Sequence, residues 1–220
     1  MSNYKDFVSD FPNRCSDLLR RFYKPAKYSD REVTLLLTIA TSGLVVPFER
    51  LKPNKEGDLS HFFSDPDRHN SASKTLSELM STKFLGSRLA GSTSTWIYFN
   101  RKVEHDDMPD QWEDLRLPQQ KISNQKTCGS VLKLLRNALA HGNIFSTGIK
   151  INQLIFLSRL DWNEEKTECM EDLKHSREQG RFGVLAVSPD DFHQFLLNWF
   201  DFLSEVRMPR GIEENIHFES

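Results

Sequence analysis

The chain is organised around one stretch near its middle, Leu134-Leu135-Arg136-Asn137-Ala138-Leu139-Ala140-His141-Gly142-Asn143. If the residues from Gly129 onward form a helix, each advances about 100° around the axis. One side of that helix is then apolar and consists of Ala138, Val131, Leu135, Leu139 and Leu132. The opposite side is polar and consists of Arg136, Lys133, Asn137, Ser130 and His141. Gly142 is well suited to end the helix, because glycine adopts the left-handed conformation at low cost.

Three polar side chains of this stretch lie beside the predicted helix end. Asn137 and His141 are four residues apart and therefore lie one above the other. Arg136 lies about 140° from His141 around the axis, but its side chain is long enough to reach round. The stretch therefore presents a cation, an amide and an imidazole from one polar face.

The spacing of these residues resembles the motif of HEPN domains (higher eukaryotes and prokaryotes nucleotide-binding). That motif is an arginine, four to six intervening residues and a histidine, often with a polar residue directly after the arginine. Here Arg136 and His141 flank four residues, and Asn137 occupies the polar position. Helices of the expected type flank the motif on both sides, so the resemblance covers about half of the chain, residues 29–52 and 126–206.

The resemblance implies a fold, an activity and a set of partners. HEPN proteins are helical bundles, usually homodimers, and many are metal-independent endoribonucleases of toxin–antitoxin or antiphage systems. The resemblance thus implies RNA as the substrate, Arg136, Asn137 and His141 as catalytic residues, and neither a metal nor a cofactor. An antitoxin or a separate nucleotidyltransferase chain would be a further partner. Other HEPN proteins have lost activity, so an inactive RNA-binding, nucleotide-binding or protein-interaction module is the alternative.

The residues themselves suit RNA cleavage by attack of a ribose 2′-hydroxyl. That reaction needs a base for the hydroxyl proton, an acid for the leaving 5′-oxygen and positive charge for the phosphorane oxygens. Histidine suits acid–base work because its pKa of about 6.5 is close to neutral, and arginine can hold two phosphate oxygens at once. One chain supplies one motif histidine, whereas a two-fold dimer supplies two. Lys133 and Ser130 share the polar face and are weaker candidates for contacts with the RNA backbone.

A purely structural interpretation explains the same residues. Arg136 and His141 near a helix C-terminus complement the negative end of the helix dipole, and Asn137 can bond a loop. Other chemistries lack their motifs, since the chain has no P-loop, no Gly-x-Gly-x-x-Gly, no Cys-x-x-Cys and no His-Glu-x-x-His. It also has no Gly-Ser followed by paired aspartates, so it is not itself a nucleotidyltransferase. A metal site is conceivable at His61, His69, Asp65 and Asp67, but we expect these to be solvated loop residues.

The chain around the motif predicts a mainly α-helical bundle. Ser29 and Glu32 are spaced as a capping box before an apolar helix that we expect to be the most buried one. A dimer interface would cover its remaining side. Ser188-Pro189-Asp190-Asp191 begins another helix, whose aromatic stripe from Phe192 to Val206 is expected to lie in the core. His193 points off that stripe, so we expect it at the surface.

A small antiparallel β ribbon is predicted after the motif helix. Two β-like runs, residues 149–157 and 182–187, provide its strands. The whole chain, residues 1–220, is predicted to form a single HEPN-like domain. Within it, residues 53–125 are an expected insertion, and residues 209–220 are an expected frayed tail.

Other segments give more local expectations. Residues 1–28 predict one or two short helices, interrupted at Pro12 and ended near Pro25. Residues 53–72 are polar and predict a loop. Residues 73–90 carry apolar side chains at helical spacing and predict an amphipathic helix. The aromatic run Thr95-Trp96-Ile97-Tyr98-Phe99 predicts either a strand or a buried turn.

Composition limits the class of protein. The net charge of −2 over 220 residues gives no general cationic field for nucleic acid, although a few positive groups in a cleft remain compatible with it. Cys15, Cys128 and Cys169 are too few and too far apart for a disulfide framework or a metal site. Residues 1–20 lack an apolar signal region, and no run is long enough to span a bilayer. We therefore expect a cytoplasmic protein without a membrane partner.

Overall fold

The computed structural model describes residues 7–51, 66–91, 95–103, 126–147, 150–159 and 180–206. The described part of the chain forms six helices and four strands. The helices are α1 (Phe7–Tyr28), α2 (Glu32–Gly43), α3 (Val45–Leu51), α4 (Pro66–Ser81), α5 (Cys128–His141) and α6 (Pro189–Val206). The strands are β1 (Ile97–Val103), β2 (Ile144–Thr147), β3 (Gln153–Arg159) and β4 (Gly180–Val187). The predicted class, mainly α with a small antiparallel β part, is confirmed.

The β part is larger than the predicted ribbon. It is a four-stranded sheet in the order β1-β4-β3-β2, with every neighbouring pair antiparallel. The two predicted runs are its central strands, and the run near residue 97 is an edge strand rather than a turn. Phe156 of β3 lies opposite Leu185 on one side and Ile144 on the other. Because side chains alternate between faces, these residues point toward the helices.

The main core lies between the sheet and the helices. Helix α6 supplies its aromatic stripe, as predicted, with Phe192, Phe195 and Trp199 almost fully buried. The indole Nε1 of Trp199 donates a 3.1 Å hydrogen bond to the carbonyl oxygen of Gly43 at the end of α2. Helices α2 and α6 therefore meet closely enough for a buried indole to bond a backbone carbonyl.

Helix α1 differs from its prediction, because one helix runs through both Pro12 and Pro25. Cys15, Leu19 and Tyr23 recur every four residues along it and are buried against the bundle. Burial of this stripe offsets the loss of a backbone donor at each proline. Tertiary packing thus overrides the local helix-breaking signal.

The predicted capping box at the start of α2 is wrong. The N-cap position is Arg31, which makes no side-chain capping bond. The hydroxyl of Ser29 instead donates to the carbonyl oxygens of Pro25 and Ala26, at 3.0 and 3.1 Å. Since α1 extends as far as Tyr28, Ser29 closes that helix instead of opening the next one.

Helix α4 is shifted relative to the prediction. It begins at Pro66 rather than near residue 73, and ends at Ser81 rather than near residue 90. Proline suits the first turn of a helix, where its missing N–H would have no partner. Phe84 lies beyond the helix, yet it is fully buried. The apolar residues at helical spacing after Ser81 therefore reflect a turn that packs against the core, and the helix does not continue through them.

Parts of the predicted insertion belong to the main core. Leu76 of α4, together with Phe84 and Trp96, packs in the same buried cluster as α5 and α6. The Phe84 and Trp96 rings meet edge to face, with centroids 5.1 Å apart. The domain limits of 1–220 and the insertion at 53–125 stay predictions, and the predicted tail at 209–220 lies outside the described residues.

The stretch formed by α2 and α3 differs from the prediction that no run is long enough to span a bilayer. Glu32–Leu51 is, in the described ranges, a 20-residue helical stretch long and apolar enough to cross a membrane, whereas the sequence was expected to hold no such run. Leu36, Ala40 and Leu44 of this stretch are fully buried in the bundle. Buried core helices share this length and composition.

Candidate active site at the end of helix α5

Helix α5 begins and ends as its sequence predicts. The Thr127 side chain accepts a 3.2 Å hydrogen bond from the backbone N–H of Ser130 and so caps the first turn. At the other end Gly142 adopts a left-handed conformation with φ +69°, and its N–H bonds the carbonyl oxygen of Ala138. The N–H of Asn143 bonds the same oxygen at 2.9 Å. The chain then turns directly into β2.

The two predicted faces of α5 differ in burial. The apolar side is buried, and consists of Val131, Leu132, Leu134, Leu135, Ala138 and Leu139. On the polar side Lys133 and His141 are exposed, whereas Arg136 and Asn137 are half-buried. The motif residues therefore lie where the helix leaves the core and faces solvent.

Arg136 is held by a carboxylate on α3. Its Nε lies 2.7 Å from Oε1 of Glu49, and the two side chains are 26 % and 36 % exposed. The Nε–H is not aligned for a hydrogen bond, although the atom is buried. The contact is therefore a sheltered ion pair, in which the carboxylate of Glu49 lies against the Nε side of the guanidinium.

Asn137 links α5 to the sheet. Its Nδ2 donates a 3.0 Å hydrogen bond to Oγ of Ser158 on β3, and that hydroxyl donates to the carbonyl oxygen of Arg159 at 3.2 Å. Ser158 is buried. This contact corresponds to the structural role considered for Asn137, with a strand in place of a loop. It also fixes an amide that lies one helical turn before the exposed histidine.

His141 is the last residue of α5 and is exposed to solvent. Arg136 turns toward α3 and Asn137 toward β3, so the single chain directs the motif side chains to different neighbours. Within the described ranges, no hydrogen bond or ion pair joins the three to one another. The structure places them within two turns of one helix and leaves the imidazole free to meet a substrate or a second chain.

The two weaker candidates lie further away. Ser130 is eleven residues before His141, which is about 16 Å along a helix axis. Its hydroxyl lies 3.2 Å from that of Thr127 at the N-cap. Lys133 is exposed but lies about 12 Å from His141 along the same axis. Contacts of either residue with RNA stay a prediction.

The contacts that two further residues, Glu49 and Ser158, make with the motif were not predicted from the sequence. The sequence made Glu49 and Arg50 candidates only for an ion pair that supports the site, with a surface role preferred, and Ser158 was not singled out. Both act on α5 from distant parts of the chain, and one sequence carries no local signal for such contacts. Among the side chains that the structure describes, no group of three or more His, Cys, Asp or Glu is placed to hold a metal. The side chains of the conceivable loop site, His61, Asp65, Asp67 and His69, lie outside the described set.

A second polar cluster joins α1 to the start of α6. The Tyr23 ring stacks on His193 with centroids 3.7 Å apart, so His193 is half-buried rather than a surface residue. The Tyr23 hydroxyl and the Lys27 ammonium donate to Asp190 at 2.7 and 2.6 Å. These bonds lower the pKa of Asp190, with that from Lys27 the stronger cause. Burial lowers the pKa of His193.

The fold and site together define a helical HEPN-type domain, with the Arg136-Asn137-x-x-x-His141 motif at an exposed helix end. A family model described as HEPN pEK499 p136 matches residues 1–210, and the chain belongs to that family. The match also covers residues 53–125, which the motif resemblance alone left unassigned. No curated protein and no solved structure matches the chain.

Proposed function

We propose that this protein is a metal-independent endoribonuclease that cleaves RNA by acid–base chemistry. The observation that carries the proposal is the placement of His141, exposed at the end of a helix in a chain of the HEPN family. Arg136 and Asn137 lie one turn before it and are held by Glu49 and Ser158. One chain thus supplies an acid–base group, a cation and an amide for phosphodiester cleavage without a metal.

The chemistry assigns a role to each side chain. One histidine removes the proton of a ribose 2′-hydroxyl, whose oxygen forms a bond to phosphorus. The bond from phosphorus to the 5′-oxygen breaks, and an acid donates a proton to that oxygen. Arg136 stabilises the charge on the phosphorane oxygens. Asn137 orients the imidazole of His141 or bonds the phosphate.

A homodimer completes the site. The reaction needs a base and an acid, and each chain supplies one motif histidine. A two-fold axis beside the end of α5 would bring two copies of Arg136, Asn137 and His141 around one cleft. The histidine that acts as base in one half of the cleft would face the histidine that acts as acid in the other.

Two observations favour a second candidate, an inactive RNA-binding, nucleotide-binding or protein-interaction module. The charge of Arg136 is already paired with Glu49, and the net charge of the chain is −2. Such a module would dimerise and bind RNA or nucleotide without turnover. A toxin–antitoxin or antiphage setting, a cytoplasmic location, and an antitoxin or nucleotidyltransferase partner accompany the main proposal as further predictions.

Cleavage of RNA in EDTA distinguishes the two candidates. A mixture of single-stranded and structured RNA is incubated with the native protein, with His141→Ala and with Arg136→Ala. Arg88→Ala is the matched control, because Arg88 also pairs with a glutamate, Glu205, at 2.6 Å, but neither residue belongs to the motif.

We expect the native protein and Arg88→Ala to cleave, and the two motif variants to lose about 10²–10⁴-fold in rate. All variants are first compared with the native protein for folding and oligomeric state. Equal cleavage by all four proteins would refute the assignment. Binding of RNA without cleavage by the native protein would favour the inactive module.

A further inference from the structure

The carboxylate that holds Arg136 is itself rigidly placed. Glu49 lies on the short helix α3, between Phe48, which is fully buried, and Leu51, which is 2 % exposed. The Phe48 N–H continues the hydrogen bonding from α2 by donating to the carbonyl oxygen of Leu44 at 3.1 Å. Buried neighbours on both sides therefore fix the backbone from which the Glu49 side chain reaches α5.

The contact also selects one side of the guanidinium. Glu49 approaches Arg136 at Nε, and this nitrogen is buried. An arginine has five N–H donors, of which one is on Nε and four are on the terminal nitrogens. A carboxylate at Nε leaves the terminal nitrogens for bidentate binding of a phosphate. The half-exposed state of the side chain is consistent with that division.

We propose that Glu49 is a positioning residue, which fixes the guanidinium of Arg136 so that its terminal nitrogens face the scissile phosphate. The inference rests on the proposed ribonuclease function. Glu49 touches neither the substrate nor the reacting atoms in this account, and it acts only through Arg136. It holds a charge in place before RNA arrives, so that no reorganisation is needed during the reaction.

The negative charge of Glu49 allows positioning to be distinguished from two other roles, which are competition with phosphate and support of the fold. A carboxylate near the cleft repels RNA, so a Glu49 that merely competed with phosphate for Arg136 would inhibit the enzyme. Removing its charge would then lower KM and raise kcat/KM. A Glu49 that merely supported the fold would change stability and leave the kinetic constants of the folded protein alone. A positioning residue instead affects kcat, because misplacement of the guanidinium is felt in the transition state.

The test uses Glu49→Gln, Glu49→Asp and the control Glu205→Gln. The control removes the same charge from the Arg88–Glu205 pair, whose nitrogen and oxygen are 2.6 Å apart. We expect Glu49→Gln to lower kcat by about 10–100-fold with KM unchanged or lower. Glu49→Asp, which keeps the charge, should recover part of the loss. Glu205→Gln should match the native enzyme.

A turnover number for Glu49→Gln equal to that of Glu205→Gln would overturn the proposal, as would a rise in kcat/KM. The Nε–H resonance of Arg136 in ¹⁵N-labelled protein provides a readout independent of activity. It should shift in Glu49→Gln and stay in place in Glu205→Gln, and an unchanged resonance would also overturn the proposal. If the resonance shifts but the native protein does not cleave RNA, the proposed ribonuclease function fails and the positioning role falls with it, while the ion pair stands.

Discussion

Replacing Gly43 with alanine is expected to destabilise the fold by about 2 kcal/mol. A Cβ at this position would lie 2.7 and 2.8 Å from Cζ and Cε1 of Phe200, and 3.2 Å from Sγ of Cys15. Phe200 is fully buried, so its rigid ring cannot move aside cheaply. The overlap therefore forces α2 and α6 apart where Gly43 meets Phe200.

The magnitude comes from three contributions. Overpacking a core by one methyl group costs about 2 kcal/mol. Separation of the helices also weakens the bond from Trp199 Nε1 to the Gly43 carbonyl oxygen, which is worth about 1 kcal/mol. Alanine favours a helix over glycine by about 1 kcal/mol in the opposite direction. The net loss is close to 2 kcal/mol.

Urea unfolding followed by circular dichroism measures this loss. Thr41→Ala on the exposed side of the same helix is the control and should change stability by about 0.5 kcal/mol or less. Phe200→Leu removes the ring atoms that clash, so it should cost less in the Gly43→Ala background than alone. A Gly43→Ala protein as stable as the native one would refute the close packing of α2 and α6.

Further perturbations test the site and the second polar cluster. Ser158→Ala should cost about 1 kcal/mol, and Asn137→Ala should then cost less than it does alone; additive costs in urea unfolding would contradict the hydrogen bond between them. Gly142→Ala places a side chain at φ +69° and should cost about 1 kcal/mol in thermal unfolding, whereas an unchanged midpoint would contradict the left-handed cap. Folding lowers the pKa of His193 below 6.5, so the unfolded chain takes up a proton first and stability should fall as pH drops below that value. Folding also lowers the pKa of Asp190 from 3.8, so stability should fall a second time below that pH. Urea unfolding across a pH series measures both losses, and His193→Gln should abolish only the one that begins near pH 6.5.

Features set by local pattern are the ones that the sequence predicts. Helix α5 follows from its apolar stripe and ends at Gly142 because glycine tolerates the left-handed conformation there. Helix α6 follows from the Ser188-Pro189 start and the aromatic stripe after it. In both helices apolar residues recur at helical spacing. The residues that cap or stop each helix lie within one turn of its end.

Features set by distant contacts are the ones that the sequence does not predict. A serine three residues before a glutamate suits an N-cap, yet Ser29 serves the carbonyl groups of the preceding helix, because tertiary packing extends α1 past Pro25. Strand β2 has only four residues and is defined by its pairing with β3. The Glu49 contact with Arg136 joins two helices far apart along the chain. The motif was therefore predictable, and Glu49 was a candidate for a supporting ion pair, but its contact with Arg136 and the contact of Ser158 with Asn137 were not predictable.

The chemistry of the RNA ends tests the central claim most directly. RNA is incubated in EDTA with the native protein and with His141→Ala, and the new ends are identified by mass spectrometry. Attack by the 2′-hydroxyl predicts fragments that end in a 2′,3′-cyclic phosphate and begin with a 5′-hydroxyl, formed by the native protein and lost with His141→Ala. Fragments that begin with a 5′-phosphate, or the same cyclic-phosphate ends at the same rate with His141→Ala, would contradict the account.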